Sequence, residues 1–323
     1  MARLDLRVRA FAWLFAHSPG AVDSMTPEQI LRAQELLAGH GRLTAGVTGR
    51  LAKGVTTVDR VIEQDGERVP VRFYRAAGQP PDSPVVVYFH GGGWTLGALD
   101  HSDWLCSQVC LGVGAVVVSV DYRLAPLHRF PTAVLDSVAA VHWVHGHAAE
   151  LGVDAARIAV MGDSAGGNLA AVACQVFRDR GGPAIAHQSL IYPATDMRAL
   201  APSHTTNGQG YMLTGDTIAW FRGHYIADAA QWSDWRASPL LAEDHSRLPP
   251  ALVLTAGFDP LRDEGRQYAD ALSAAGVPTQ YVCFERQIHG FITMGRVIDE
   301  ANTALTLCAA VLRRALAPGQ PGP

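Results

Sequence analysis

Short apolar runs, several of them rich in β-branched residues, recur along this chain at Val85–Phe89, Ala115–Val120, Arg157–Met161, Ile185–Tyr192, Ala251–Ala256 and Thr279–Phe284. Between and after them the apolar positions return at helical spacing, at Ser102–Leu111, Thr132–Glu150, Gly167–Gln175, Leu261–Ala275 and Asp299–Leu316. Such runs suit strands buried on both faces. The alternation predicts an α/β fold, a mostly parallel sheet with helices on each side. In sheets of this kind ligands bind at the carboxyl ends of the strands.

Two stretches break that rhythm. Residues 1–53 read as helical. Leu4, Val8, Phe11 and Phe15 fall at helical spacing and predict an amphipathic helix. Thr26-Pro27-Glu28-Gln29 reads as an N-cap, a proline at the first helical position and a capping-box glutamine, with the helix running to about Ala38 and stopping at Gly39. From Val55 the period shortens, and Asp65-Gly66 predicts a hairpin turn between Thr56–Gln64 and Glu67–Arg75. Residues 194–235 form the second break and hold Trp220, Trp232 and Trp235.

Composition narrows the function classes. The 323 residues are 48% hydrophobic and 17% charged, enough for a large core. A formal net charge of −4 leaves no electrostatic footprint for nucleic acid. Lys53 is the only lysine among 26 basic residues, which argues against pyridoxal chemistry. Cys106, Cys110, Cys174, Cys283 and Cys308 are scattered and make no Cys-x-x-Cys, so they read as small buried hydrophobes in a reducing, cytoplasmic setting. Arg3, Arg7 and Arg9 ahead of Ala10–Ala16 mimic a signal peptide. The apolar run is only seven residues long and His17-Ser18-Pro19 offers no cleavage site, so a helix that stays on the protein is expected. No apolar run approaches a membrane span.

The chemistry centres on Gly162-Asp163-Ser164-Ala165-Gly166. A strand precedes it and a helix follows, the setting of a nucleophile elbow. A serine needs a base, and the base needs an orienting acid, in the chain order Ser, acid, His. Asp259 follows the strand Ala251–Ala256, and His289 follows the strand Thr279–Phe284. The rival acids Asp263 and Glu264 lie one helical turn further on, better suited to a helix N-terminus. Backbone amides of Gly92 and Gly93, with that of Ala165, are the expected donors to a developing oxyanion. A dinucleotide loop fails on spacing, because neither Gly91–Leu96 nor Gly112–Val117 has the final glycine. His142, His145 and His147 suggest a metal, but no acid completes an obvious ligand set, so no metal is expected.

Taken together, these words resemble the hormone-sensitive-lipase-like esterases of the α/β-hydrolase superfamily, in the bacterial branch with an aspartate in the elbow. The matching stretches are His90–Trp94, Asp121–Pro126, Gly162–Gly167, Asp259–Glu264 and His289-Gly290-Phe291, in order over about residues 84–316. Tyr192-Pro193, Gly210–Thr214 and Ser238–Leu241 match more weakly. The resemblance implies an eight-stranded α/β-hydrolase core and a cofactor-free hydrolase of small carboxylic esters with the triad Ser164, Asp259 and His289. It also implies a cap of segments 1–53 and 194–235 over core segments 54–193 and 236–323. Trp94, Met212 and Leu213 are the expected pocket walls, acyl chains of short to medium length the expected substrates, and a homodimer is allowed. Two departures stand out: Leu127-His128-Arg129-Phe130-Pro131 replaces the family's Glu-His-Pro-Phe-Pro, and a glycine usual near Arg286 is missing. A small-molecule receptor is the rival on this scaffold. The gibberellin receptors resemble the family but lack the catalytic histidine, which His289 supplies here. An amidase or lactonase side activity would share the triad.

Overall fold

The structure, a computed structural model, describes residues 4, 5, 8, 9, 12, 22–37 and 45–319. One eight-stranded sheet runs through it in the order β1-β2-β4-β3-β5-β6-β7-β8. β1 (Val55–Gln64) and β2 (Glu67–Ala76) form the hairpin expected at Asp65-Gly66, with Val55 opposite Ala76. β2 is also antiparallel to β4 (Val116–Val120). All further pairings are parallel, through β3 (Ser83–Phe89), β5 (Val153–Asp163), β6 (His187–Ile191), β7 (Ala251–Phe258) and β8 (Thr279–Ile288).

The central strands face two cores. Val85, Val87 and Phe89 point to one, shared with α3 (Thr132–Gly146), α4 (Ala165–Arg180) and α7 (Arg262–Ala274). Val86 and Tyr88 point to the other, shared with α2 (Asp103–Val113) and α8 (Asp299–Ala315). This two-residue alternation explains why the run had no polar face, since both faces are covered. Each fully buried valine or phenylalanine contributes roughly 1.5–3 kcal/mol.

Several boundaries differ from expectation, among them three near the elbow and the helix before it. The helix expected over Thr132–Glu150 breaks at His147, whose ring stacks on Trp143 and whose Nδ1 lies 2.9 Å from the Trp143 carbonyl; a separate turn, Ala148–Leu151, follows. β5 extends to Asp163, beyond the expected Met161, and α4 starts at Ala165, ahead of the expected Gly167.

At the N-terminal side, α1 (Pro27–Leu37) opens with the expected capping box: Thr26 N–H donates to Gln29 Oε1 at 2.8 Å, and Gln29 N–H to Thr26 Oγ1 at 3.4 Å. Val8 and Ala12 are buried, and Leu4 packs against the same core. Phe11, Phe15 and the expected helix stop at Gly39 lie outside the described residues. Among the described residues no helix is long and apolar enough to cross a membrane. The five cysteines are free, four of them buried.

Candidate active site

β5 ends at Asp163 and α4 begins at Ala165, so one residue makes the corner. Ser164 takes φ 57° and ψ −117°, a region that costs a non-glycine residue about 1–3 kcal/mol. The corner closes this tightly because Gly166 has no side chain: a Cβ there would overlap the carbonyl of Phe89 at the end of β3. The Ser164 N–H is spent on the Ile191 carbonyl at 2.9 Å, and its hydroxyl stands at the start of α4, where the helix dipole favours negative charge.

Loops after two more parallel strands reach this hydroxyl. His289, after β8, has Nε2 2.8 Å from Ser164 Oγ and Nδ1 2.8 Å from Asp259 Oδ2. Asp259, after β7, is fully buried, and its Oδ1 accepts the Leu261 N–H at 2.9 Å. Both rival acids are engaged elsewhere. Asp263 pairs with Arg262 at 2.7 Å. Glu264 Oε2 meets His204 Nε2 at 2.5 Å, while its Oε1 accepts the N–H groups of Thr195 and Asp196 at 2.6 and 3.3 Å. Burial pushes the Glu264 carboxyl up, with the His204 hydrogen bond pulling the other way.

The glycine-rich loop after β3 is turned back by the Gly92 carbonyl, which accepts from the N–H groups of Thr95 and Leu96 at 3.1 and 2.8 Å. Gly93 sits at φ +61°. The amides of Gly92 and Gly93 donate to no other group among the described residues. Asp163, the residue before the elbow serine, anchors this loop: its Oδ1 accepts the Gly91 N–H at 2.8 Å and the Tyr88 hydroxyl at 2.5 Å. Burial pushes the Asp163 carboxyl above the usual carboxylate range, and the Tyr88 hydrogen bond opposes that shift. His90 stacks on Tyr122 at 4.4 Å, and burial pushes its imidazole down, which favours the neutral ring.

Two outer segments close over this edge of the sheet. Gln34 of α1 donates its side-chain amide to the carbonyls of Thr95 and Ala125 at 2.7 and 2.8 Å. From the segment 194–235, which contains α5 (Pro202–Thr206) and α6 (Gly215–Tyr225), Phe221 lies against Gly93 and Met212 lies beside Gly290, next to His289. Trp94 is 4% exposed, with one ring face stacked flat on Tyr225 of α6 at 4.7 Å. Leu213 is also buried, and of the three expected walls Met212 keeps partial exposure.

Phe221 and Gln34, and the anchoring role of Asp163 within the elbow motif, escaped the sequence reading; Phe221 and Gln34 act across long sequence separations. His142, His145 and His147 do not converge. His142 stacks on Phe177, His147 stacks on Trp143, and no group of three potential metal ligands exists among the described residues.

A base 2.8 Å from a hydroxyl can take its proton, an acid on the far nitrogen fixes the ring's orientation, and nearby amides can hold a negative oxygen. A family model described as alpha/beta hydrolase fold matches residues 86–293. The chain is 47% identical over 246 residues to the carboxylic ester hydrolase LipN of Mycobacterium tuberculosis, a match over 74% of this chain and 65% of that protein. The chain thus spans just under two thirds of that relative's length. It is 44% identical over 263 residues to the carboxylesterase NlhH of the same organism, covering 80% of this chain and 82% of that one. Among solved structures, the hyperthermophilic esterase from the archaeon Pyrobaculum calidifontis superposes with a TM-score of 0.89 at 37% identity, covering 98% of this chain and 100% of that one.

Proposed function

The chain belongs to the hormone-sensitive-lipase-like branch of the α/β-hydrolase family, and on that premise we propose that it is a serine carboxylesterase acting on short- to medium-chain acyl esters. The observation that carries this reading is the unbroken line of hydrogen bonds, 2.8 Å each, from Ser164 through His289 to the buried Asp259.

In the proposed reaction Ser164 Oγ attacks the ester carbonyl carbon as its proton passes to His289 Nε2. Asp259 stabilises the imidazolium and keeps the ring turned towards the serine. The carbonyl oxygen becomes an oxyanion held by the amides of Gly92, Gly93 and Ala165. The intermediate collapses, the C–O bond to the alcohol breaks, and His289 returns the proton to the leaving alkoxide. Water then repeats the sequence on the acyl-enzyme, releasing acid and restoring Ser164. The α1 segment and residues 194–235 form the cap. The scattered free cysteines fit a reducing, cytoplasmic compartment.

Hydrolysis of p-nitrophenyl esters by wild type and Ser164→Ala tests the reading. The variant should fold normally and lose several orders of magnitude in kcat, because the remaining groups sustain only a small part of the acceleration. A variant that keeps a tenth of wild-type turnover removes Ser164 from the role of nucleophile.

A further inference from the structure

The loop that carries Asp259 is gripped from the cap side. Asn207 is 7% exposed, and its Nδ2 donates to the carbonyls of Gly257 and Asp259 at 3.2 and 3.1 Å. Four residues earlier in the chain, Ser203 Oγ donates to the Pro260 carbonyl at 2.5 Å and accepts the Asp263 N–H at 3.0 Å. His204 closes on Glu264, which in turn accepts the amides of Thr195 and Asp196. The side chains of Thr195, Ser203, His204 and Asn207 are thus spent on residues 257–264, while the buried Asp196 pairs with Arg198.

We propose that Asn207 is a positioning residue for Asp259, and that segment 195–207 is a fixed clamp on the acid's loop, unlike the remainder of the cap. This rests on the reading of Ser164, His289 and Asp259 as the triad. The geometry supports it in two ways. The two carbonyls that Asn207 binds bracket the Cα of Phe258 and the Asp259 side chain, so their direction sets where the carboxylate points. The Arg262 side chain and the Arg262 N–H also reach these carbonyls, at 3.2 Å each, but both come from the helix that follows Asp259. Asn207 is the donor that enters from a different part of the chain. Without it the loop keeps its local turn and loses its lateral reference. Because the carboxylate must meet His289 Nδ1 in line, a displacement well under 1 Å weakens orientation of the base without touching the substrate.

The test compares Asn207→Ala, Asn207→Asp and Gln175→Ala with wild type, using a p-nitrophenyl ester and, separately, the rate of inactivation by diethyl p-nitrophenyl phosphate, which reads serine nucleophilicity alone. Asn207→Asp keeps the shape and replaces the donor with an acceptor facing two carbonyls. Gln175→Ala is the stability control, since Gln175 makes the same kind of buried amide-to-carbonyl bond, to Pro239 at 3.0 Å, on the elbow helix. Both Asn207 variants should lose kcat at least about tenfold with KM changed less than about twofold, and inactivation should slow in parallel. Gln175→Ala should lower Tm by a similar amount and keep kcat. Asn207→Asp with wild-type kcat, or a Gln175→Ala loss equal to that of Asn207→Ala, overturns the proposal. Ser164→Ala in the same assay separates the two readings: if it stays active the triad itself is wrong, whereas an inactive Ser164→Ala beside unimpaired Asn207 variants sinks the clamp alone.

Discussion

Gly93 and Phe221 should behave as one energetic unit. A Cβ on residue 93 would stand 2.7 Å from Phe221 Cδ2 and closer still to Cγ and Cδ1. Ordinary contact begins near 3.4 Å, so Gly93→Ala forces about 1 Å of movement on the ring or on the amide. The ring cannot leave with its helix, because Tyr225 one turn on is buried and stacked on Trp94. Turning it off its rotamer costs about 0.5–1.5 kcal/mol. The backbone at φ +61° adds about 1 kcal/mol for any residue with a Cβ. If the amide yields instead, a proposed oxyanion donor is misplaced, an effect of order 2.7–4 kcal/mol on the barrier. Gly93→Ala should therefore lower kcat about 100-fold. Phe221→Ala should cost less than about tenfold, and the double variant should regain at least about tenfold over Gly93→Ala, a coupling of at least about 1.4 kcal/mol. The φ contribution should survive as a lowered Tm in both variants carrying alanine at 93. The assay is kcat on p-nitrophenyl butanoate, with thermal melts on the same four proteins. A double variant whose loss equals the product of the single losses would refute the idea that Phe221 holds the oxyanion loop in place.

Other outcomes follow from burial and from the cap. Burial pushes the imidazole of His187 down to about 4. Below the ordinary histidine value near 6.5 the unfolded chain takes up a proton that the folded chain refuses, so stability falls as pH drops from about 6.5 towards 4, by about 2 kcal/mol at pH 5. His187→Gln should remove that limb from Tm against pH, and an unchanged acid limb would place the sensitivity elsewhere. Each buried methylene contributes roughly 0.8 kcal/mol, so kcat/KM should climb with acyl length, peak at roughly four to eight carbons and then fall. Efficient turnover of emulsified long-chain triglyceride would show that the cap does not bound the pocket. Tyr88→Phe should destabilise the fold by about 1–3 kcal/mol, because the buried Asp163 carboxylate loses a donor at 2.5 Å. A melt within a degree of wild type would mean that the Gly91 amide and the Tyr192 hydroxyl satisfy it.

The parts of the site legible in the sequence were those written locally. A serine between two glycines at a strand–helix corner specifies its own geometry, and Asp259 and His289 were identified by standing just past strands. The structure sets Asp259 against His289 and Glu264 against His204, as their places before and on the helix suggest. What escaped depends on contacts between distant segments. Trp94 adjoins the glycine loop, but its stacking on Tyr225, 131 positions later in the chain, has no local signal. Asn207 and Gln34 are ordinary polar residues with no periodic or motif signal. They matter because the topology lays them over loop carbonyls, Gln34 on Thr95 and Ala125 and Asn207 on Gly257 and Asp259. The break at His147 was missed because helical spacing continues through it; Gly146 and the Trp143–His147 stack end the helix.

The backbone of Ser164 carries a consequence for how such a chain drifts. Its φ of 57° is a conformation that glycine occupies without strain. Ser164→Gly would thus relieve about 1 kcal/mol or more while erasing the proposed nucleophile. Selection for turnover must hold the serine against a standing thermodynamic pull towards an inert, sturdier protein. In a laboratory lineage screened for heat resistance alone, loss of catalysis at this position is downhill, and sterile clones should accumulate there ahead of other core changes.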